Sequence, residues 1–344
     1  MHPNFPASPS RRRFALAGAA LCSAPLISAC AGGPAAGRPL SVGALFAGNV
    51  NDRGFMEAGW RGLERARVEL GVKTSHIDSV QPRKELLAAA LTRLAESGVD
   101  LVVAHGGQNN EACAEVAARF PRAKFVVTQG AVTEANLASY DVLQEESAYL
   151  AGVLAALSTR TGVVGHMSGI RVRPGLKGRA AYAAGVRATN PNVKLLTNFS
   201  GNQDDNPLSH RVASAQIAAG ADVIFTMLNA GRDGVTEACR EKGRRQIGNV
   251  IDWVQADPKV FVGSAMADVG IGVFESVREL QAGSFPAGKI RKVGLANPQA
   301  VRLSMAPDVP AEVRARIARV AEDIVAGRIH VPESYDGPEF ATPA

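Results

Sequence analysis

The chain has 344 residues, 46% of them hydrophobic and 20% charged, with a formal net charge of +6 and four cysteines. That length suggests two domains, and that balance describes an ordinary globular chain with a sizeable core. A small positive excess without a basic stripe interleaved with aromatics argues against a nucleic-acid partner, and so few, scattered cysteines exclude a disulfide framework.

Arg11, Arg12 and Arg13 precede a short apolar stretch, Phe14 to Ile27, the charged-then-apolar layout of an export signal. The stretch is shorter than the roughly 20 residues a membrane-spanning helix needs, and Ser10–Leu16 resembles a twin-arginine signal. Ile27-Ser28-Ala29-Cys30 resembles a bacterial lipobox, in which small residues admit the peptidase and the Cys30 thiol accepts lipid. Residues 1–29 are therefore expected to be a signal peptide and residues 30–39 a tether held to the membrane through Cys30, with the mature chain facing the periplasm or the cell exterior. Removal of residues 1–29 takes three arginines and no acids, which lowers the charge from +6 to +3. No later segment reads as membrane-spanning.

From residue 40 strands and helices alternate. Leu40–Phe46 reads as a buried strand. Met56, Trp60, Leu63, Ala66 and Leu70 then recur at helical spacing up to a C-capping Gly71. Leu86–Leu94 predicts a helix, Val99–Ala104 a strand, Asn110–Arg119 a helix and Lys124–Gln129 a strand. The second half repeats the plan. Strands are expected at Gly162–Met167, Val193–Asn198, Asp222–Met227, Gln246–Ile251 and Val260–Ala265. Helices are expected at Ser147–Leu157, Leu176–Ala188, 207–219, 232–242, Asp268–Gly283 and Pro310–Gly327. Strands separated by helices of this length predict parallel sheets covered on both faces. Gly98-Val99-Asp100-Leu101-Val102 recurs as Gly220-Ala221-Asp222-Val223-Ile224, and Glu111-Ala112-Cys113 recurs as Glu237-Ala238-Cys239. Two repeats nearly in register indicate two related α/β lobes. Cys113 and Cys239, far apart in sequence, read as small buried thiols.

In open parallel sheets a ligand sits beyond the carboxyl ends of the strands. The loops there are rich in amides and short acids: 49–52 with Asn51 and Asp52, 105–110 with Gln108, Gln129-Gly130, 201–206 with Gln203 and Asp204, 229–234 with Asn229 and Arg232, and Asp252-Trp253. Such groups fix a polar ligand through paired donors and acceptors, although Asn, Asp and Gly are also ordinary turn residues. Catalytic patterns are missing. There is no GxSxG elbow, no Walker lysine loop and no dinucleotide-binding glycine fingerprint. His105, His166 and His210 lack metal-ligand spacing and read as structural. No catalytic residue, metal or cofactor is expected.

These residues resemble the basic membrane protein family of solute-binding lipoproteins, whose best-understood members are purine-nucleoside receptors for ABC importers. The resemblance runs from about residue 40 to 335. It rests on Asn51-Asp52-Arg53-Gly54-Phe55, on Glu145–Gly152, on Gly220–Phe225, on Gly231-Arg232-Asp233-Gly234-Val235 and on Ile247-Gly248-Asn249-Val250-Ile251-Asp252. It implies an α/β type I periplasmic-binding-protein fold, two doubly wound parallel-sheet lobes joined by three hinge strands, with crossings near 142–147, 250–256 and 288–296. The lobes are then expected as 40–145 plus 253–290 and 146–252 plus 291–344. Phe55 matches one of two aromatics that sandwich a purine; Gln203 falls at the other. Asp252 matches the acid that holds the ribose hydroxyls, and Ala267 stands where a lysine is expected. Trp253 either supplies a substitute ring or packs in the hinge. The implied function is an importer's receptor, a monomer that meets permease and ATPase subunits and binds a purine nucleobase or a nucleoside-like heterocycle. A receptor for another solute such as a sugar, and a ligand-sensing lipoprotein, are the alternatives. A nucleoside hydrolase would need an acid cluster near the first strand, where Asp52 stands alone.

Overall fold

The computed structural model of the chain describes residues 38–341; the expected signal, Cys30 and all but the end of the tether lie outside them. The chain runs β1 (Ser41–Phe46), α1 (Phe55–Leu70), β2 (Lys73–Ile77), α2 (Lys84–Glu96), β3 (Leu101–His105), α3 (Asn110–Arg119), β4 (Lys124–Thr128) and β5 (Leu137–Val142). It continues through α4 (Gln144–Ser158), β6 (Val163–Ser168), α5 (Arg173–Thr189), β7 (Lys194–Phe199), α6 (Asn206–Ala218), β8 (Val223–Met227), α7 (Arg232–Glu241) and β9 (Arg245–Val250). Last come β10 (Phe261–Ala267), α8 (Ile271–Gln281), β11 (Ile290–Val293), β12 (Val301–Met305) and α9 (Ala311–Val325).

The strands form two six-stranded sheets, ordered β11-β5-β4-β3-β1-β2 and β12-β10-β9-β8-β6-β7. Every pair is parallel except β10 with β12. Helices cover both faces of each sheet, so the central strands β3 and β8 are buried along their whole length, as apolar runs in covered parallel sheets are. The internal repeat is a structural one. β3 and β8 hold the same place in their sheets, and the aspartate before each ties down a neighbouring chain start. Asp100 accepts from the Ser41 amide, and Asp222 from the Arg160 and Thr161 amides. Cys113 and Cys239 are buried and unpaired.

The chain crosses between the lobes after β5, between β10 and α8, and between β11 and β12. Two boundaries therefore differ from the sequence reading. β10 is bonded to β9 and β12, so it stands in the second sheet and not in a first lobe that includes 253–290. β11 pairs with β5 and stands in the first sheet, not in a second lobe that begins at 291. The segment at 250–256 does not cross. It folds back on itself through Trp253, and the second crossing falls at Asp268, whose carboxylate caps the turn into α8 by accepting from Gly270 N.

A small apolar cluster at the crossings, built on Ala58, Val142, Val250, Ala267, Val269, Ala300 and Val301, joins the two lobe cores. Within the second lobe α4 and α5 touch backbone to backbone. A Cβ on Gly152 would lie 2.2 Å from the Tyr182 carbonyl oxygen, and one on Gly185 2.2 Å from that of Tyr149. Only glycine permits that approach. Among the described residues no helix is long and apolar enough to cross a membrane.

Candidate functional site

The loops beyond the strand ends of the two sheets face each other across a cavity of about 360 Å³. The first lobe contributes Asn49, Asp52, Phe55, Met56, Pro82 and Gln108; the second contributes Gln144, Ile170, Val172, Pro174, Asn202, Gln203, Asp204, Met227, Asn229, Asn249 and Val250. Of the residues singled out in the sequence, Asp52, Phe55, Gln108, Gln203, Asp204 and Asn229 meet here.

Asp52 begins α1. Its two carboxylate oxygens accept from the amides of Gly54, Met56 and Glu57. Burial raises its pKa, and those three amides work against the rise. The acid is thus committed to holding the turn that presents Phe55. Behind Phe55 lies His105, at the end of β3, with ring centroids 4.4 Å apart. His105 Nε2 is 3.0 Å from the Phe55 carbonyl oxygen and Nδ1 is 2.7 Å from Thr128 Oγ1. The carbonyl can only accept, so Nε2 carries the proton and Nδ1 accepts from the threonine hydroxyl. Burial lowers the His105 pKa to about 4, so the ring is neutral.

Across the cavity Gln203 packs on Gly169, where a Cβ would come within 2.5 Å of its Oε1. Its backbone carbonyl accepts from the amides of Asn229 and Gly231, which binds the 201–206 loop to the 229–234 loop. Gln144 is 5% exposed and opens α4 at the first crossing. Gln144 Nε2 and Gln203 Oε1 are buried with no hydrogen-bond partner, an arrangement native proteins reserve for positions with a reason. Val250 has φ 68, an outlier for a β-branched residue. Such strain gathers at functional sites, and it sits where β9 delivers Asn249 and Val250 to the cavity wall.

The remaining candidates lie elsewhere. Asn51 is exposed, its amide donating to Asn49 Oδ1. Gln129 is buried behind the cavity, where its amide group bonds both the N–H and the carbonyl of Val142. Arg232 is 1% exposed; its guanidinium carbon lies 3.2 Å from the centre of the Trp253 ring, and its N–H groups reach the carbonyls of Arg53 and Asn229. Burial lowers its pKa to about 10. Trp253 does not line the cavity and lies in a segment that does not cross: it is buried between Arg232 and Phe261, and its Nε1–H donates to the Asn249 carbonyl. Asp252 is not among the residues that line the cavity; it accepts from Ser304 Oγ at 2.7 Å and from Val254 N. The sequence reading missed Gln144, Asn249 and Val250, and with them the apolar wall of Pro82, Ile170, Val172, Pro174 and Met227. Gln144 directly precedes Glu145–Gly152, and Asn249-Val250 lie within Ile247–Asp252, so for the first three the signal was the motif itself.

The lobes touch around the cavity. Arg53 pairs with Asp233 at 2.8 Å, Phe55 N donates to Asn229 Oδ1 at 3.4 Å, and Arg173 pairs with Asp141 at 3.0 Å. Beside that last pair the buried Lys177 contacts Glu145 and, at 3.5 Å, Asp141. A second interlobe cavity lies behind the start of α1. Its arginines are already engaged: Arg61 with Glu57, Arg65 with Glu69, and Arg302 with the carbonyls of Pro298 and Gln299. Among the described residues no three His, Cys, Asp or Glu side chains gather as a metal site.

Two parallel-sheet lobes, three crossings and a cleft of amides between them define a solute-binding protein of the type I periplasmic fold. A solute-binding protein of an ABC transporter system from Aeropyrum pernix K1 has the same architecture, with a TM-score of 0.77 and 22% identity over 86% of this chain and 95% of that one. Residues 40–335 match the Bmp family of PnrA-like ABC transporter substrate-binding proteins, and the chain belongs to that family. It is 24% identical to the ABC transporter nucleoside-binding protein BmpA of Lactococcus lactis over 94% of this chain and 99% of that protein. It is 25% identical to basic membrane protein A of Borreliella burgdorferi over 86% and 89%. This is a family of binding proteins that work with permease and ATPase components, not of enzymes.

Proposed function

We propose that this protein is the membrane-tethered receptor of an ABC importer for a small polar heterocycle, a purine nucleobase or a nucleoside-like compound, taken up in the cleft between the lobes. The observation that carries the reading is the Phe55 ring, which forms part of the cavity wall with His105 fixed behind it. A flat apolar face bordered by amides suits a flat, polar ring system better than a sugar or an amino acid. The Lactococcus relative, named as nucleoside-binding, supports the same class. Asp52, Gln108, Gln203, Asp204 and Asn229 complete the proposed contact set with Phe55. The protein acts as a monomer, held through lipid on Cys30 outside the cytoplasm, and delivers its solute to the permease. Thermal-shift screening against nucleobases, nucleosides, sugars and amino acids tests the reading. Stabilisation by heterocycles alone supports it, and stabilisation by sugars or amino acids alone overturns it.

A further inference from the structure

Two loops of the second lobe wall the cavity, and the segment that follows α9 reaches both. In the first loop, between β6 and α5, Ile170, Val172 and Pro174 line the cavity, while Arg171 and Arg173 between them do not. Each of those arginines meets an acid of the C-terminal segment. Arg171 pairs with Glu339 at 2.5 Å, and Arg173 lies 3.9 Å from Glu333. The second loop follows β7 and brings Asn202 and Gln203 to the cavity. Phe340 N donates to the carbonyl of Thr197 in β7 at 2.7 Å. The ring of Phe199, at the end of that strand, has the guanidinium carbons of Arg171 and Arg179 at 4.7 and 4.8 Å from its centre. Both of those arginines also bind Glu339. The two loops are bonded to each other, since Ser200 N and Gly201 N donate to the carbonyls of Ser168 and Gly169.

An ion pair on an open surface contributes little, but Glu339 is not an isolated surface acid. Its partner Arg179 is 5% exposed, and the Arg179 guanidinium carbon also lies 4.8 Å from the centre of the Tyr335 ring. Loss of the carboxylate strips a nearly buried cation of its counter-charge. Glu339 does not line the cavity. The match to the family ends at residue 335, so Glu339 and Phe340 lie beyond the part shared with it. A wall that is held in place before the solute arrives saves the cost of ordering it on binding.

Resting on the reading of the cleft as the solute site, we infer that Glu339 is a positioning residue: through Arg171 and Arg179 it fixes the wall that the 170–174 and 201–203 loops present to the solute. Hydrogen exchange of the full-length lipoprotein in detergent, read by mass spectrometry, tests this by comparing wild type with Glu339→Gln and with Glu312→Gln, which neutralises an acid in the first turn of α9. The amides of 169–173 and 200–203 are expected to exchange about fivefold faster in Glu339→Gln, with those of β8 unchanged. Glu312→Gln is expected to exchange as wild type does. Titration calorimetry with inosine is expected to show Glu339→Gln binding about fivefold more weakly. If Glu339→Gln fails to fold, Arg171→Gln breaks the same contact from the loop side and carries the same comparison. Unchanged exchange in the two loops overturns the inference. So does an acceleration spread evenly over the second lobe, which would make Glu339 a stabilising residue only, and so does faster loop exchange with wild-type affinity for inosine. If wild type binds glucose and not inosine, and Glu339→Gln weakens glucose to the same degree, the heterocycle reading falls and this inference stands.

Discussion

The ring of Phe55 rests on the imidazole of His105 at 4.4 Å, and the same imidazole bonds the Phe55 carbonyl. One residue therefore holds both the side chain and the backbone of the aromatic that walls the cavity. Removal of the ring takes away a stacking surface worth about 0.5–1.5 kcal/mol beyond its burial. Phe55→Ala is expected to weaken solute binding about tenfold, measured by calorimetry. An unchanged affinity would place the solute elsewhere.

His105 also links stability to pH. Its folded pKa, about 4, lies below the ordinary value of 6.5, so the unfolded chain takes up a proton that the folded one refuses. Stability from this group is complete above about pH 6.5 and declines as the pH falls toward 4. Between pH 7.5 and 5 the decline amounts to about 2 kcal/mol. His105→Gln, less stable at pH 7.5, should close that much of its gap to wild type at pH 5 in calorimetric or denaturant unfolding. Parallel curves for the two proteins would refute the assignment.

Asp252 bonds Ser304 and Val254 and stands outside the cavity. Asp252→Ala is expected to leave solute affinity within about twofold and to cost about 1 kcal/mol of stability, the ordinary worth of the lost bonds. A tenfold loss of affinity with unchanged melting would restore it to the site.

The Ile27–Cys30 motif makes Cys30 the expected lipid attachment site. Cys30→Ala should release the protein from the membrane fraction or leave its signal uncleaved, and mass spectrometry should show the diacylglyceryl mass missing. A membrane-bound variant of unchanged mass would sink the lipobox.

Arg53–Asp233 and Arg173–Asp141 bond the two lobes to each other beside the cavity, and opening the cleft is expected to break them. X-ray scattering should give a larger radius of gyration for the solute-free protein than for the saturated one. A radius indifferent to solute would mean a rigid cleft.

Most of the architecture was legible in the residues because buried parallel strands are apolar throughout, and β3 and β8 even repeat a motif. The edge strands β2, β11 and β12 were not legible, nor was β5, which is buried throughout but carries Ser139 and Asp141 among its apolar residues. Lys-Thr-Ser-His-Ile and Ile-Arg-Lys-Val are largely exposed and carry the polar chemistry of loops. β10 was recognised as a strand but assigned to the wrong lobe, since its sheet depends on pairing with β9 and β12 and not on its own composition. At the site, the first-lobe turn Asp52–Phe55 was legible because its geometry is local. The β9 end was not: Val250 takes a left-handed φ there, Asn249 and Val250 line the cavity and Asp252 does not, and a periodic pattern carries no sign of that turn.

The contact of α4 and α5 through Gly152 and Gly185 has a kinetic meaning. Gln144 begins one helix, and Pro174 and Gly175 begin the other, so this part of the second lobe's surface cannot come apart when the cleft opens. On the proposed site, a solute is expected to settle on that preassembled surface before the first lobe arrives, with Phe55 among the last groups to engage. The ring would govern departure more than arrival. In stopped-flow traces the affinity lost in Phe55→Ala should appear as a faster off-rate with an on-rate close to that of the unaltered protein.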